Sequence, residues 1–345
     1  MTDRPGPAEA DTTVDETGGP GADAPGASGL DTSIGFRLRF LLAVLASRPL
    51  FAVGYVIVFV VIVLAIFAPL IAPYPPETAN PEDFLQPPSW RHLLGTDQTG
   101  MDVFSRIIYA PRIDLTIAIA GTLISAVVGS LIGAIVGYYQ EMGGVRSFGA
   151  GFIMRTADVL QAFPVFVFAI ALVAIFGQSL QSIIAAIAFV NAPIYLRLMR
   201  SQVLSIRNMR YIEAAYVSGA NDMTIMLRHV IPNSMAPILS QLSVNIGWSV
   251  LLTAALSFVG AGVVQPTPEW GSMIAMGFQN IITGQWWPSV FPGVALGLTV
   301  FGFALVGASV EVLADPARRR ALAGTLREKK QRRPRRRAAA NGEAA

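Results

Sequence analysis

The sequence predicts an all-α, polytopic membrane protein with six transmembrane helices between disordered termini. The first observation is composition: 53% of the 345 residues are hydrophobic and 14% are charged, whereas soluble domains carry about 25% charged residues. The second is a series of uncharged apolar runs of about the twenty residues that a helix needs to cross the hydrocarbon core. The third is the charge at the ends, since the first 33 residues hold seven acids and the last thirty hold eleven Lys or Arg.

The N-terminal part of the chain divides into a tail and a first span. Residues 1–33 are predicted to be a disordered acidic tail, because their few large apolar side chains do not bury enough surface to offset the ordering entropy. Residues 34–72 are predicted to form a lead-in and the first transmembrane helix. That helix spans Phe51–Leu70, which is free of charge, and the prolines around residues 69–76 end it.

The rest of the chain is predicted to comprise an extracytoplasmic loop at 73–113, a core at 114–314 and a basic cytoplasmic tail at 315–345. The core is expected to hold five spans: Leu115–Tyr139, Phe152–Phe176, Leu180–Leu198, Ser234–Val259 and Pro288–Leu313. Small residues recur every four positions from Gly121 to Gly137, so another helix is expected to pack closely there. We expect the basic tail to meet anionic lipid rather than nucleic acid.

Four polar side chains within the spans are candidates for a translocation path. Asp158 and Gln161 lie near the start of the third span, Asn191 lies in the fourth and Asn245 in the fifth. Ionisable residues at membrane depth are costly and often functional. For Asp158 the alternative is an interfacial carboxylate that bonds to a helix N-terminus or to a neighbour.

A polar stretch, residues 211–233, interrupts the apolar sequence between the fourth and fifth spans. Tyr211–Ser218 is predicted to be a short helix that ends at Gly219 in the left-handed conformation. Asn221 or Asp222 is expected to cap a second short helix. Pro232 is expected to end that second helix, because it lacks the N–H needed to continue it.

Several segments resemble one family of membrane proteins. Glu213-Ala214-Ala215, three further residues, Gly219 and then Ile231-Pro232 resemble the EAA loop of ATP-binding-cassette (ABC) importer permeases. The string from Arg228 to Asn233 is similar to the dipeptide, oligopeptide and nickel branch of that family. The segments HLLGTDQTGMDVFSR, from His92, and SFVGAGVVQPTPEWG, from Ser257, are similar to family segments as well. The resemblance covers about residues 36–320.

The resemblance implies a type I ABC importer permease bundle in the plasma (inner) membrane. It implies a homologous permease as partner, two ABC ATPase subunits that receive the 211–233 loop, and an extracytoplasmic solute-binding protein. ATP and Mg would be bound by the ATPases, so no cofactor is expected in this chain. The loop residues to which the resemblance gives the coupling role are Glu213, Ala214, Ala215, Gly219, Asp222, Arg228, His229 and Pro232.

The residues themselves argue against several other functions. A Walker A loop needs a lysine after its glycines, and the lysines of this chain, Lys329 and Lys330, lie in the polar tail. No Ser-His-Asp pattern and no pair of carboxylates within the spans is apparent, so a membrane enzyme ranks third. His92 and His229 are predicted on opposite sides of the membrane, and cysteine is absent, so no metal site is expected. An ion-coupled secondary carrier or a channel is the alternative function, with Asp158 as its one plausible buried ionisable group.

The arginines predict the orientation. Basic residues cluster before the first span, between the second and third, between the fourth and fifth, and after the sixth. No Lys or Arg lies between Arg228 and Arg318. The positive-inside rule therefore predicts that both termini and residues 211–233 are cytoplasmic.

Overall fold

The structure, a computed structural model, describes residues 45, 48–140 and 143–314. The predicted acidic tail at 1–33, most of the lead-in and the basic tail at 315–345 lie outside the described residues. The described part is helical, and its only β pairing is an isolated bridge between Thr96 and Asp102.

The helices are labelled α1 to α10 in chain order. Their bounds are α1 Pro49–Ile71, α2 Val103–Tyr139, α3 Gly144–Ala162, α4 Val165–Phe176, α5 Leu180–Ile206, α6 Arg210–Val217, α7 Asp222–Ile225, α8 Ile231–Phe258, α9 Trp270–Phe278 and α10 Trp287–Ala314. Five stretches are long and apolar enough to cross a membrane, and a sixth is added if the bent pair α3–α4 is one span. The predicted all-α, polytopic fold is confirmed.

Helix α2 begins twelve residues before the predicted start of the second span. Asp102 caps it, and its carboxylate accepts the backbone N–H of Ser105 at 2.8 Å. The prediction that the polar loop continues to residue 113 was therefore wrong. The charge of Arg106 is tolerated in a fully buried position because its Nε lies 3.7 Å from a carboxylate oxygen of Asp97 and its guanidinium donates to the carbonyls of Pro76 and Pro266, at 2.8 and 3.1 Å.

The third span is broken, and the prediction of one helix over Phe152–Phe176 was wrong. Helices α3 and α4 meet at 95°. Phe163 is extended and Pro164 follows it. A proline disfavours helical backbone at the residue before it and removes one helical hydrogen bond, so the bend falls at this pair.

The backbone stays helical from α7 through to α8. The prediction that Pro232 ends the second short helix was therefore wrong. Residues Met226–Val230 form one π-helical turn, in which the N–H of Ile231 donates to the carbonyl of Met226. Pro232 then lies in the first turn of α8, where a missing N–H costs little. The π turn therefore accommodates the proline within a single stretch, Asp222–Phe258.

Helices α2 and α5 pack along the predicted stripe of small residues. A Cβ added at Gly129 would collide with the carbonyl of Ala192, and one added at Gly133 would collide with that of Leu196. The helices thus approach each other backbone to backbone, as the spacing of small residues predicts.

We expect Gly133→Ala to lower the free energy of unfolding by about 1–3 kcal/mol, because the new methyl group must displace a helix backbone. Thermal unfolding of the purified chain in detergent would measure the effect. Gly149→Ala is the matched control, since Gly149 lies in a helix with no atom within 4 Å of the added Cβ. Equal melting temperatures for the two variants would contradict the close packing of α2 on α5.

Candidate functional site

The predicted loop is an elbow of two short helices, and we call residues 210–230 the elbow. Helix α6 ends at Val217, and Gly219 has φ +83°, the left-handed conformation that the sequence predicts. The N–H of Ala220 donates to the carbonyl of Ala215 at 3.1 Å. The Asn221 side chain then caps α7 by accepting the N–H of Thr224 at 2.8 Å. Side-chain and backbone bonds therefore define the angle of the elbow.

One face of the elbow is buried and the other is exposed. Its inward residues are apolar and belong to a cluster shared with α2 and α5: Ile212, Ile225, Met226 and Val230. The candidate coupling residues Glu213, Ala214, Gly219, Arg228 and Pro232 are exposed, whereas Ala215, Asp222 and His229 are half-buried. The exposed face also carries large apolar side chains, among them Val217 at 85% exposure and Met223 at 54%. An anchored segment that presents such residues is a surface suited to a protein partner.

The four candidate path residues fall into different environments. Asp158 forms an ion pair with Arg197 at 2.6 Å, and both side chains are largely exposed. This contact matches the alternative of a carboxylate bonded to a neighbour. Gln161 is half-buried and lines a cavity of about 250 Å³ together with Asn191 and aromatic residues of α4, α5 and α8.

Asn191 and Asn245 are buried between helices. The Asn191 amide donates to the Ser249 hydroxyl at 3.1 Å, and that hydroxyl bonds to Thr122 at 3.0 Å. Asn245 is 3% exposed, and its side-chain oxygen accepts from Gln241 at 3.4 Å. Polar side chains therefore link α2, α5 and α8. Of the two asparagines, Asn191 lines the cavity beside Gln161.

Comparison with known proteins identifies the family. Residues 129–320 match the family described as "Binding-protein-dependent transport system inner membrane component", and residues 41–88 match the "N-terminal TM domain of oligopeptide transport permease C". The chain belongs to this permease family. The permease is 41% identical over 270 residues to the dipeptide transport system permease protein DppC of Escherichia coli, covering 76% of this chain and 88% of the relative.

Two further relatives agree with this assignment, and one solved structure shares the fold. The permease is 39% identical over 275 residues to DppC of Alkalihalophilus pseudofirmus, covering 79% of this chain and 87% of the relative. It is 37% identical over 260 residues to the glutathione transport system permease protein GsiD of Pectobacterium atrosepticum, covering 75% and 84%. A structure of the MetNI methionine ABC transporter in inward-facing conformations has the same fold, with TM-score 0.50 and 19% identity, covering 61% of this chain and 96% of that one.

Sequence reasoning missed a buried polar cluster in the loop before α2 of the permease. His92 is 3% exposed, with Nδ1 2.9 Å from a carboxylate oxygen of Asp102 and Nε2 3.6 Å from one of Asp83. Trp287 donates its indole N–H to the Thr96 carbonyl at 3.0 Å and joins this loop to α10. Among the described residues no group of three or more His, Cys, Asp or Glu side chains has an arrangement that could hold a metal ion.

No pair of carboxylates within the spans was expected from the sequence, and sequence reasoning therefore also missed a pair of buried acids. Asp114 in α2 accepts the N–H of Trp270 at 3.3 Å, and Glu269 caps α9 through the N–H groups of Gly271 and Ser272, at 2.9 and 2.7 Å. The two acids are brought together because Asp114 bonds to the residue that follows Glu269 in the chain. Burial raises the pKa of Glu269, while the hydrogen bonds from α9 oppose that rise. The two acids are 155 positions apart in the sequence, which therefore held no local signal for their contact.

We expect Asp102→Ala to lower the free energy of unfolding by about 1–3 kcal/mol. The variant loses the cap of α2 and leaves the buried His92 ring nitrogen without its partner. Asp102→Asn keeps an oxygen for the cap and should cost less. Thermal unfolding of both variants and the parent would measure the difference, and an alanine variant as stable as the parent would contradict the assigned role.

Proposed function

We propose that this permease is one subunit of an ABC importer and that, with a homologous permease, it forms the translocation path for di- or oligopeptides or a related solute. Two separate ABC ATPases would energise transport, and an extracytoplasmic solute-binding protein would deliver the solute. The observation that carries the proposal is the elbow: a pair of short helices anchored by a buried apolar face, whose EAA residues Glu213 and Ala214 are exposed. The names of the relatives supply the substrate class, since DppC is named for dipeptides and GsiD for glutathione.

The elbow has the features of a surface that transmits force. Its buried face is part of the apolar cluster around α2 and α5, so a push on the exposed face moves these helices rather than bending a loose loop. Ala214 is small and exposed, which suits the close approach of an ATPase groove. Glu213 lies in the first turn of α6, where its charge favours the helix and is available to a basic residue of the partner.

The proposal assigns ATP and Mg to the ATPases and no cofactor to this chain. The reason is chemical: Lys329 and Lys330 are the only lysines in the sequence, and neither follows a glycine-rich loop. The distribution of arginine supports an orientation with both termini and the elbow in the cytoplasm of the cell whose inner membrane holds the permease. The carrier alternative relied on Asp158, and that residue forms an exposed ion pair rather than a buried relay.

We expect Gly219→Val and Ala214→Arg to weaken attachment of the ATPases while the spans remain inserted. Valine resists the left-handed backbone at 219, and arginine at 214 adds bulk to the outward face. Co-purification of the ATPases and hydrolysis of ATP in the same preparation would measure the effect. Gly219→Asn, which tolerates the left-handed conformation, is the matched control for the first variant.

Ile282→Arg is the matched control for Ala214→Arg. It adds the same cation at a residue that is 94% exposed in the segment before α10, away from the elbow. Normal attachment and fully substrate-stimulated hydrolysis in both elbow variants would contradict the proposed coupling role.

We expect reporter fusions at Ala79 and Gln279 to read as extracytoplasmic and fusions at Asn208 and Ala345 to read as cytoplasmic. The positive-inside rule is the physical reason. Alkaline phosphatase and green fluorescent protein fusions would measure the orientation, since each is active on one side only. An extracytoplasmic reading at Asn208 would overturn the placement of the elbow beside the ATPases.

A further inference from the structure

We propose that Tyr138, at the end of α2, is a positioning residue for the elbow, and that its contact with Tyr216 and Asp222 transmits movement of the elbow to the second span. The inference rests on the proposed function, in which the elbow moves with the ATPases. It goes beyond it by naming the side chains that carry the movement and the helix that receives it.

Three polar groups meet where α2 reaches the elbow. The Tyr138 hydroxyl donates to a carboxylate oxygen of Asp222 at 3.0 Å, and the Tyr216 hydroxyl donates to the same oxygen at 3.2 Å. The two hydroxyls are also within hydrogen-bonding distance of each other, and because each carries one proton, two of these three bonds form at a time. Since Tyr216 lies in α6 and Asp222 begins α7, the cluster connects both arms of the elbow to one point on α2. Bonds to an ionised carboxylate are roughly twice as strong as those between neutral groups.

The side chain and the backbone of Tyr138 are both held by contacts within the helix bundle. Its side chain is 3% exposed and packs in the cluster that includes Tyr195, Met199 and Ile212. Its carbonyl accepts from the Arg207 guanidinium at 3.1 Å, just after the end of α5. The ring and backbone therefore have fixed positions, and the hydroxyl is the atom that reaches the elbow.

Helix α2 connects this contact to the opposite end of the bundle. It has 37 residues, a length of about 55 Å at the helical rise of 1.5 Å per residue. Near its start, Arg106 donates to the Pro266 carbonyl and Asp114 accepts from the N–H of Trp270. The same helix thus touches the elbow at one end and the segment around α9 at the other. A rigid helix with specific bonds at both ends has the connectivity that coupling over this distance requires.

The chain is suited to a direct test because it contains no cysteine. Spin labels would be attached at Ile135→Cys, 46% exposed on α2, and at Val217→Cys, 85% exposed on the elbow. Electron–electron double resonance would report the distribution of distances between them. We expect one narrow distribution in the parent and a broader or shifted one in Tyr138→Phe, which keeps the ring and removes the hydroxyl.

Further variants show whether the effect belongs to this contact. Tyr139→Phe is the matched control, since the Tyr139 hydroxyl makes no hydrogen bond within the described residues and the substitution should leave the distribution unchanged. Asp222→Ala should broaden it, because alanine has no side-chain oxygen to accept the hydroxyl bonds. Tyr138→Phe combined with Asp222→Ala should broaden it no further than Asp222→Ala alone, because both substitutions remove the same contact. Should Tyr138→Phe fail to fold, Tyr216→Phe, at an exposed residue, removes the second hydroxyl and takes its place.

A functional test uses the permease together with its partner permease and the ATPases, reconstituted in lipid vesicles. We expect Tyr138→Phe to lower the stimulation of ATP hydrolysis by the solute-loaded binding protein about tenfold, in line with one lost hydrogen bond to a charged group. Co-purification of the ATPases should equal that of Tyr139→Phe. An unchanged distance distribution, or unchanged stimulation with the ATPases attached, would overturn the inference alone. Retention of the ATPases by Ala214→Arg would instead count against the proposed function, and the spin-label result would still decide the contact.

Discussion

The packing of α2 against α5 is the contact on which the rest of the described bundle depends. It is the most extensive interface between two helices in that part of the chain. Gly129 and Gly133 allow the backbones to touch, and in a membrane such close contact replaces the hydrophobic driving force that lipid does not supply. The polar residues before α2 and the elbow after α5 are both placed by this pair.

Buried polar side chains determine how the helices align along that interface. The amide of Asn191 in α5 and the hydroxyl of Thr122 in α2 both meet Ser249 in α8. Arg106 and Asp114 make comparable contacts with the segment around α9. An unpaired polar group in an apolar environment is costly, so a sliding or rotation of one helix would break bonds that the surroundings do not replace. These side chains therefore specify register, while the small residues specify distance.

Three departures from regular helix in the described bundle have a clear chemical cause. Pro164 bends the third span, the π turn at Met226–Val230 admits Pro232, and Gly219 takes a left-handed backbone at the tip of the elbow. The π turn and Gly219 lie in the same short segment. That segment follows α5 in the chain and runs into the fifth span. The elbow is consequently bonded to two spans by the backbone and to a third, α2, by side chains.

The sequence by itself determined the helical, polytopic membrane fold, the left-handed turn at Gly219 and the family to which the chain belongs. These follow from the length of apolar runs and from residues close together in the chain, for which the physical preference is local. Only the tertiary structure decided where α2 begins, how Pro232 is accommodated and which polar residues meet. Tyr138 and Asp222 are 84 positions apart, and Asp114 and Glu269 are 155 apart. Contacts of this kind depend on how the helices pack, and helix packing is a property of the whole bundle rather than of any one segment.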